Sequence, residues 1–361
     1  MMRADPESYF PAGYRQARQA FIAAAQGAGT DVITRVHPTA RGPDGKPLFL
    51  DTAALGPRDA KRALLLICGT HGVESYFGSG AQTGLLREGI RPPQGARIVM
   101  VHALNPFGFA WDRRVNEDNV DINRNFVDYA APPANPDYDL LAAAIAPRDL
   151  EPATLAAANE ALLAYGRAHG LAALQSAVSR GQYRHPDGLW FGGRKECWSL
   201  AMLRAVLTED LRLVEKLTVI DFHTGLGETG AGELITEALP GSPEYVRARA
   251  IWGEMVKSSD GGESLSPALT GTLARALAAW LPEVDLTFAA LEVGTRPLHA
   301  VFDALRRDNW LHNFAQETEI AALAATIARQ CRDAFYVDEP AWKSQVFGLA
   351  DRAVRAALAA L

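Results

Sequence analysis

Short hydrophobic runs alternate along most of the chain with longer segments of helical period. The hydrophobic runs lie at residues 31–36, 63–68, 97–104, 217–222 and 286–293. Each run is too short for a typical helix and is followed by residues typical of turns, so we interpret the runs as buried strands. The segments of helical period predict helices at residues 14–28, 198–210, 242–257, 267–281, 298–309, 317–335 and 346–361. This alternation predicts an α/β fold with a central mixed, mostly parallel twisted sheet flanked by helices.

Residues 130–183 interrupt the alternation. They begin with the Pro-rich sequence AAPPANPDYD and continue as an Ala/Leu-rich segment of helical character. Because this composition is typical of a linker followed by helices, we predict a helical insertion at about residues 130–183. The polar motifs described below lie on both sides of it and share one proposed site. A single catalytic domain over residues 1–361 is therefore favoured over two domains.

Composition limits the classes of partner and compartment. The chain has 36 Lys+Arg and 42 Asp+Glu, a formal net charge of −6, so it lacks the basic surface that a nucleic-acid partner requires. Its three cysteines show no CxxC spacing, which is typical of a reducing compartment. The N-terminus carries charge and Pro where a signal peptide needs an apolar run, and no stretch of about 18 apolar residues follows it. We therefore expect a soluble cytoplasmic protein with no membrane partner.

The motif Gly69-Thr70-His71-Gly72-Val73-Glu74 directly follows the hydrophobic run at residues 63–68. His71 and Glu74 are three residues apart, and on a turn that leads into a helix this spacing can direct an imidazole and a carboxylate to one point. A zinc site requires such a convergence. The alternative is a histidine that caps a turn beside a solvated glutamate.

A second histidine, His223, ends another predicted strand in the motif DFHT. Ligands of open α/β sheets gather beyond the carboxyl ends of the strands, so His223 can meet His71 and Glu74 there. Two histidines and one glutamate leave a fourth position open for water, as in a catalytic zinc site. Asp221, two residues earlier on the same face of the strand, is either a carboxylate that orients a histidine or a structural hydrogen-bonding group.

Two further polar features complete the candidate chemistry. The loop at residues 113–126, RRVNEDNVDINRNF, concentrates arginines that suit a substrate carboxylate, although a salt-bridged surface loop has the same composition. Glu292 stands in the hydrophobic run ALEVGT, where an unused charge would cost free energy. Glu292 is therefore a candidate functional residue.

The four motifs HGVE, DINRNF, DFHT and ALEVGT, in this order, resemble the zinc carboxypeptidase superfamily, including its aspartoacylase and succinylglutamate desuccinylase branch. The resemblance covers about residues 63–295 and implies a zinc carboxypeptidase-like fold. It implies one zinc ion per chain with His71, Glu74 and His223 as ligands. It also implies Glu292 as the general base.

The same resemblance implies roles in the arginine-rich loop. Arg114 would polarise the scissile carbonyl, with Arg113 as the alternative if the loop aligns one residue differently. Asn123 and Arg124 would hold the terminal carboxylate of the substrate. The expected function is a zinc-dependent hydrolase that cleaves an amide bond next to a free carboxylate, with water activated by zinc and Glu292. Its partner would be a small molecule or short peptide with a free carboxylate; whether the chain forms a homo-oligomer is left open.

Two alternatives remain at this stage. Digestive carboxypeptidases place a flexible tyrosine some twenty residues before the catalytic glutamate, whereas this chain has no tyrosine between Tyr245 and Tyr336. The sequences GTHGVE and DFHT are more similar to those of the deacylase branch, so an N-acyl-amino-acid deacylase of the aspartoacylase/desuccinylase type is the first alternative. The second is a binding module without catalytic activity on the same fold.

Residues 181–193, GQYRHPDGLWFGG, are rich in Gly and aromatic side chains. They resemble a block of uncharacterised bacterial members of the superfamily that are grouped as a domain of unknown function. Tyr183 and His185 are candidates for a role in substrate specificity or in support of the site. A purely structural cluster of turns is the alternative.

Overall fold

Four of the five predicted hydrophobic runs form the interior of one eight-stranded mixed sheet in the computed structural model, which describes residues 5–361. The run at residues 31–36 instead lies in a mostly exposed strand at the edge of the sheet. The strands are β1 (Val32–Arg41), β2 (Pro47–Leu55), β3 (Arg62–Cys68), β4 (Ala96–His102), β5 (Lys216–Thr229), β6 (Gly232–Thr236), β7 (Val256–Ser258) and β8 (Asp285–Gly294). Their order across the sheet is β1-β2-β4-β3-β5-β8-β6-β7. The neighbours β4, β3, β5 and β8 run parallel, whereas β2 joins β4, and β6 joins β8, in antiparallel pairs. The predicted α/β fold with a mixed, mostly parallel sheet is confirmed.

Helices cover both faces of the sheet. They are α1 (Tyr14–Gly27), α2 (Ser75–Arg87), α3 (Pro106–Ala110), α4 (Pro136–Ile145), α5 (Pro152–His169), α6 (Leu171–Ser179), α7 (Trp198–Asp210), α8 (Pro243–Trp252), α9 (Leu273–Trp280), α10 (Leu298–Asn313), α11 (Glu317–Phe335) and α12 (Pro340–Ala359). Leu64 and Leu66 of β3 pack on the side of α1, α2, α8 and α12. Leu65 and Ile67 point to the opposite face, where α7 and α9 lie. Because successive side chains of a strand alternate between faces, burial on both faces requires the unbroken run Ala63–Cys68.

Helices α4, α5 and α6 lie within the predicted insertion at residues 130–183. Their apolar side chains, among them Tyr138, Leu162 and Ala177, form a third cluster with residues of α10 and α11. The insertion therefore packs beside the sheet and its helices. Among the described residues, no helix is long and apolar enough to cross a membrane.

Several sequence predictions are wrong in their bounds. Strand β5 continues past residue 222 to Thr229, α10 continues past residue 309 to Asn313, and α12 begins at Pro340, before the predicted residue 346. The first strand continues past residue 36 to Arg41 and pairs with β2, which the sequence did not predict; as an edge strand it accommodates Pro38. The helix predicted at residues 242–257 ends at Trp252, and residues 256–258 form β7. The helix predicted at residues 267–281 begins only at Leu273, because the side chain of Thr272 accepts a hydrogen bond from the amide of Arg275 and caps its first turn.

Candidate metal centre

The turn after β3 carries His71 and Glu74. Gly72–Glu74 form a short 3-10 turn that leads directly into α2. The amide of Gly72 donates to the carbonyl of Arg114 at 3.0 Å, and the amide of Val73 donates to the carbonyl of Arg113 at 2.8 Å. The arginine-rich loop therefore fixes the turn that presents the imidazole and the carboxylate.

Sheet register brings His223 and Glu292 to the same place. Strand β5 lies between β3 and β8, with Phe222 opposite Cys68 and His223 opposite Glu292. The strands run parallel, so their carboxyl ends meet at one edge of the sheet. His71, Glu74, His223 and Glu292 therefore converge from three adjacent strands, although 221 residues of chain separate the first from the last.

Potential ligand atoms of His71, Glu74 and His223 lie within 4.8 Å of one another. Nδ1 of His71 is 3.0 Å from Oε1 of Glu74, and Nδ1 of His223 is 3.1 Å from Oε2 of the same carboxylate. The two Nδ1 atoms face each other at 3.2 Å. All three side chains are buried, so these atoms share one small space shielded from solvent.

Each imidazole also contacts a second carboxylate on its far side. Nε2 of His71 is 3.0 Å from Oδ1 of Asp121, and Nε2 of His223 is 2.7 Å from Oδ2 of Asp221. The hydroxyl of Thr70 in turn donates to Asp221 at 2.9 Å. A carboxylate that accepts the Nε2 proton leaves the Nδ1 lone pair free for a metal. This donor set fits a zinc ion with two nitrogen ligands and one oxygen ligand.

The electrostatic environment also favours a metal ion at this cluster. Burial alone would lower the pKa of His223, but the carboxylates of Asp221 and Glu74 raise it well above its usual value. Burial would raise the pKa of Glu74, whereas His71, His223 and Arg114 hold it well below its usual range. The carboxylates that raise the pKa of His223 would equally stabilise a metal cation bound in place of the proton.

Arg114 and Arg113 have different surroundings. The guanidinium of Arg114 donates to Oε1 of Glu74 at 2.8 Å and to Oδ2 of Asp121 at 3.2 Å, and its Nη2 lies 2.9 Å from Nε2 of His71. Arg113 instead pairs with the buried carboxylate of Asp308 at 3.0 Å. Of the two arginines, the structure places Arg114 beside the histidines.

Glu292 lies at the edge of the cluster and is 8% exposed. Its Oε1 accepts a hydrogen bond from the amide of Leu226 at 3.0 Å. Burial, followed by the negative charge of Glu74, raises the pKa of Glu292 to about 8. A bound cation would act on this carboxyl in the opposite direction. The protonation of Glu292 therefore depends on whether a cation occupies the cluster.

Asn123 and Arg124 are held from different sides. They lie in the 3-10 turn Ile122–Arg124, whose start is capped by the side chain of Asp121. Oδ1 of Asn123 accepts from the amide of Leu273, the first residue of α9, at 2.9 Å. The guanidinium of Arg124 is buried and donates to the carbonyls of Ser179 and Asn123. Neither side chain is among the three potential metal ligands.

Tyr183 and His185, the two candidates in residues 181–193, differ in their surroundings. The hydroxyl of Tyr183 is buried and donates to the carbonyl of Arg124 at 2.8 Å. Nε2 of His185 lies 2.8 Å from the carboxylate of Asp139 in α4. The side chain of Tyr183 therefore contacts the main chain of Arg124 in the candidate site, whereas His185 pairs with a residue of the insertion.

Sequence reasoning missed Asp121 and Thr70 as parts of the site. Asp121 stands in DINRNF, two residues before Asn123, and Thr70 directly precedes His71. Their positions in the sequence could have indicated them, because each belongs to a motif that already contained candidate residues. Their partners, 50 and 151 residues away along the chain, become visible only once the sheet is assembled.

Comparison with known proteins places this geometry in context. The family described as "Protein of unknown function (DUF2817)" matches residues 10–348. No curated protein is significantly similar to the sequence. The match spans all four motifs and the helical insertion.

Several solved structures are similar at low sequence identity. Carboxypeptidase A from Helicoverpa armigera is 12% identical with a TM-score of 0.47, and the similarity covers 96% of this chain and 73% of that chain. A metallo-carboxypeptidase from Pseudomonas aeruginosa, in complex with (2-guanidinoethylmercapto)succinic acid, is 16% identical with a TM-score of 0.41, covering 96% and 71%. An aspartoacylase family protein from Mesorhizobium loti is 12% identical with a TM-score of 0.36, covering 80% and 68%.

Proposed function

The chain belongs to the DUF2817 family, and we propose that it is a zinc-dependent hydrolase that cleaves an amide bond next to a free carboxylate. The observation that carries the proposal is the convergence of His71, Glu74 and His223 within 4.8 Å, with a second carboxylate behind each histidine. Three protein ligands that leave a fourth position open for water, beside a glutamate that is not among the ligands, are typical of a catalytic zinc site.

The side chains around the cluster can divide the work of hydrolysis. Zinc, when bound, supplies Lewis-acid activation of the attacking water and of the scissile carbonyl. Glu292 takes a proton from that water and later passes it to the leaving nitrogen. Arg114 donates hydrogen bonds toward the oxygen on which negative charge develops, and it is oriented for this by Glu74 and Asp121.

Arg124 supports a free carboxylate as the recognition element. It is 2% exposed, and among residues 5–361 no carboxylate oxygen lies within 4.0 Å of its guanidinium. The negative charges of Asp121 and Glu237 act on it only from beyond that distance. Burying a charge without a direct ion pair is costly, so a buried arginine of this kind favours an anionic ligand. A planar carboxylate suits the guanidinium because it can accept two N–H groups at once.

The first experiment measures zinc and turnover together. Purified protein should contain about one zinc ion per chain, and it should hydrolyse members of a panel of acetylated dipeptides and N-acetyl amino acids. Glu292→Gln should keep the zinc and lower kcat by about 10²- to 10⁴-fold. Glu233→Gln is the matched control, because Glu233 lies opposite Glu292 in the register of β6 and β8 but bonds to Ser264. Substantial turnover by Glu292→Gln would remove Glu292 from the role of base.

The same panel tests the deacylase alternative. Digestive carboxypeptidases place a flexible tyrosine some twenty residues before the catalytic glutamate, and this chain has no tyrosine between Tyr245 and Tyr336. The missing tyrosine supports the deacylase as the alternative. Cleavage of N-acetyl amino acids without cleavage of dipeptides would assign the deacylase function. Absence of zinc, with no reconstitution on adding it, would favour a binding module.

A further inference from the structure

The helical insertion contacts Arg124 at both ends of the residue. The carbonyl of Ser179, the last residue of α6, accepts from Nε of Arg124 at 3.1 Å and from Nη2 at 2.7 Å. Four residues later, the hydroxyl of Tyr183 donates to the main-chain carbonyl of Arg124 at 2.8 Å. One short segment of the insertion, residues 179–183, therefore fixes both the guanidinium and the backbone of this arginine.

These contacts leave a defined part of the guanidinium unused. A guanidinium has five N–H groups, and three of them donate: two to the carbonyl of Ser179 and one, from Nη1, to the carbonyl of Asn123 at 2.8 Å. The two that remain are on different terminal nitrogens. Among residues 5–361 they have no acceptor. A carboxylate can accept from both, one oxygen to each nitrogen.

Segment 179–183 is itself held in place. The side-chain amide of Asn135, at the start of α4, donates to the carbonyl of Ala177 at 3.1 Å and to that of Gly181 at 2.9 Å. On the other side, the amide and hydroxyl of Thr270 both donate to the carbonyl of Arg180 at 3.0 Å. The segment is thus fixed between the start of the insertion and the loop that precedes α9.

Two glycines permit this close packing around Arg124. Gly181 has a φ of +116°, and a Cβ there would lie 2.8 Å from Cδ of Arg124. Gly271 has a φ of +70°, and a Cβ there would lie 2.2 Å from the main-chain carbonyl oxygen of Arg124. Any other residue would displace the arginine or strain the backbone. Both the conformation and the space at these positions serve the placement of Arg124.

We propose that segment 179–183 of the insertion is part of the substrate-binding site, in which Tyr183 and Gly181 are positioning residues that orient Arg124 toward a substrate carboxylate. This inference rests on the proposed function, since it assumes that Arg124 binds the carboxylate. It gives the helical insertion a role in substrate binding, in addition to the roles proposed for the four motifs. Carboxylate recognition then depends on contacts between the insertion and the loop that carries Arg124.

The test compares a substrate that has a free carboxylate with the same compound as its C-terminal amide. Tyr183→Phe keeps the aromatic ring and removes the donor to Arg124, so it should raise KM for the free acid about three- to tenfold with kcat nearly unchanged. KM for the amide should stay the same. Gly181→Ala should act in the same direction and more strongly. The substrates are the acetylated dipeptide or N-acetyl amino acid that the panel selects, and its amide.

Tyr138→Phe is the matched control. Tyr138 lies in the same insertion, is also buried, and its hydroxyl also donates to a main-chain carbonyl, that of Leu189 at 2.9 Å. It loses the same kind of hydrogen bond without contact to Arg124, so the ratio of KM values for acid and amide should not change. If Tyr183→Phe and Tyr138→Phe affect acid and amide alike, Tyr183 serves the fold only and the inference is overturned.

Arg124→Ala separates this inference from the proposed function. If Arg124→Ala abolishes the preference for the acid and Tyr183→Phe has no further effect in that background, both hold. If Arg124→Ala abolishes the preference but Tyr183→Phe leaves it intact, only the inference fails. If Arg124→Ala leaves the preference intact, the carboxylate anchor of the proposed function fails. Titration of the same two ligands into the Glu292→Gln protein gives the ratio of Kd values independently of turnover.

Discussion

Asp121→Asn is the substitution that tests the metal centre most directly. The carboxylate of Asp121 is fully buried, lies 3.0 Å from Nε2 of His71 and accepts from Nε of Arg114 at 3.2 Å and from the amide of Asn123 at 3.0 Å. Nε of Arg114 and the amide of Asn123 donate to it, and Nε2 of His71 donates to it when that nitrogen carries the ring proton. Asparagine keeps the shape, but its side-chain NH₂ must replace one acceptor, and the negative charge is lost.

The expected effect follows from the role of the lost carboxylate. Without it, His71 loses the group that holds its Nε2 proton and directs Nδ1 toward the metal. Such partners typically contribute 10- to 100-fold to metal affinity, which corresponds to about 1.4–2.7 kcal/mol. We expect the Kd for zinc to rise by this factor in Asp121→Asn, and by a similar factor in Asp221→Asn, which removes the carboxylate behind His223.

Competition with a fluorescent zinc chelator measures these Kd values at neutral pH. Asp51→Asn is the matched control, because Asp51 is equally buried and binds an arginine, Arg18 at 2.7 Å, but lies away from the cluster on β2. It should lower the free energy of unfolding and leave the Kd for zinc unchanged. A wild-type Kd in Asp121→Asn would refute the assignment of Asp121 as an orienting group. An equal loss of zinc affinity in Asp51→Asn would show that the effect comes from general destabilisation of the protein.

Two further predictions concern stability. Burial raises the pKa of Asp112 from 3.8 to about 6, so the folded state binds this proton more tightly and loses stability as pH rises from about 4 to 6. Asp112→Asn should therefore raise the free energy of unfolding above pH 6 by at most about 3 kcal/mol. Asparagine tolerates the φ of +54° at this residue. Urea denaturation at a series of pH values measures the effect, and an unchanged dependence of stability on pH would contradict the prediction. Zinc at about a thousand times its Kd should add about 4 kcal/mol to the free energy of unfolding, and none in His223→Ala; equal stabilisation of both proteins would place zinc elsewhere.

The sequence predicted the four central strands β4, β3, β5 and β8 and the first part of the edge strand β1, and it missed β2, β6 and β7. Strand β3 is apolar from Ala63 to Cys68 because neither face meets solvent, and such a run is visible in one dimension. Strand β1 exposes most of its positions and contains polar residues and Pro38. Strands β6 and β7 are only five and three residues long. Their pairing depends on neighbours that the local sequence does not reveal.

In the candidate site, too, the residues that stand out in the local sequence were predicted, and those that depend on contacts with distant residues were not. His71, His223 and Glu292 are recognisable because each polar side chain stands beside or within an apolar run. Asp121 gives no such signal: in its loop it resembles Asp118, which is exposed, and only contact with His71, 50 residues away, distinguishes the two. The surroundings of Arg124 were equally hidden, since Ser179 and Tyr183 belong to an insertion whose position beside the sheet is decided by packing against α10 and α11.

The buried charges also predict separate roles for the two arginines. With both histidines neutral, as metal ligation requires, the ionised carboxylates of the cluster outnumber the guanidinium groups by two negative charges, which a divalent cation would neutralise. The four carboxylates are Glu74, Asp121, Asp221 and Glu292, and the two guanidinium groups are those of Arg114 and Arg124. A substrate carboxylate then adds one negative charge.

Only Arg124 can pair with that charge without losing a carboxylate partner, because Arg114 is already bonded to Glu74 and Asp121. Arg124→Ala should therefore act on KM and on the preference for acid over amide. Arg114→Ala should lower kcat by about 10²- to 10³-fold and leave that preference unchanged, since its hydrogen bonds would be needed only as charge develops on the carbonyl oxygen. Steady-state kinetics with the acid and amide pair distinguish the two, and a change of preference in Arg114→Ala would show that both arginines share the carboxylate.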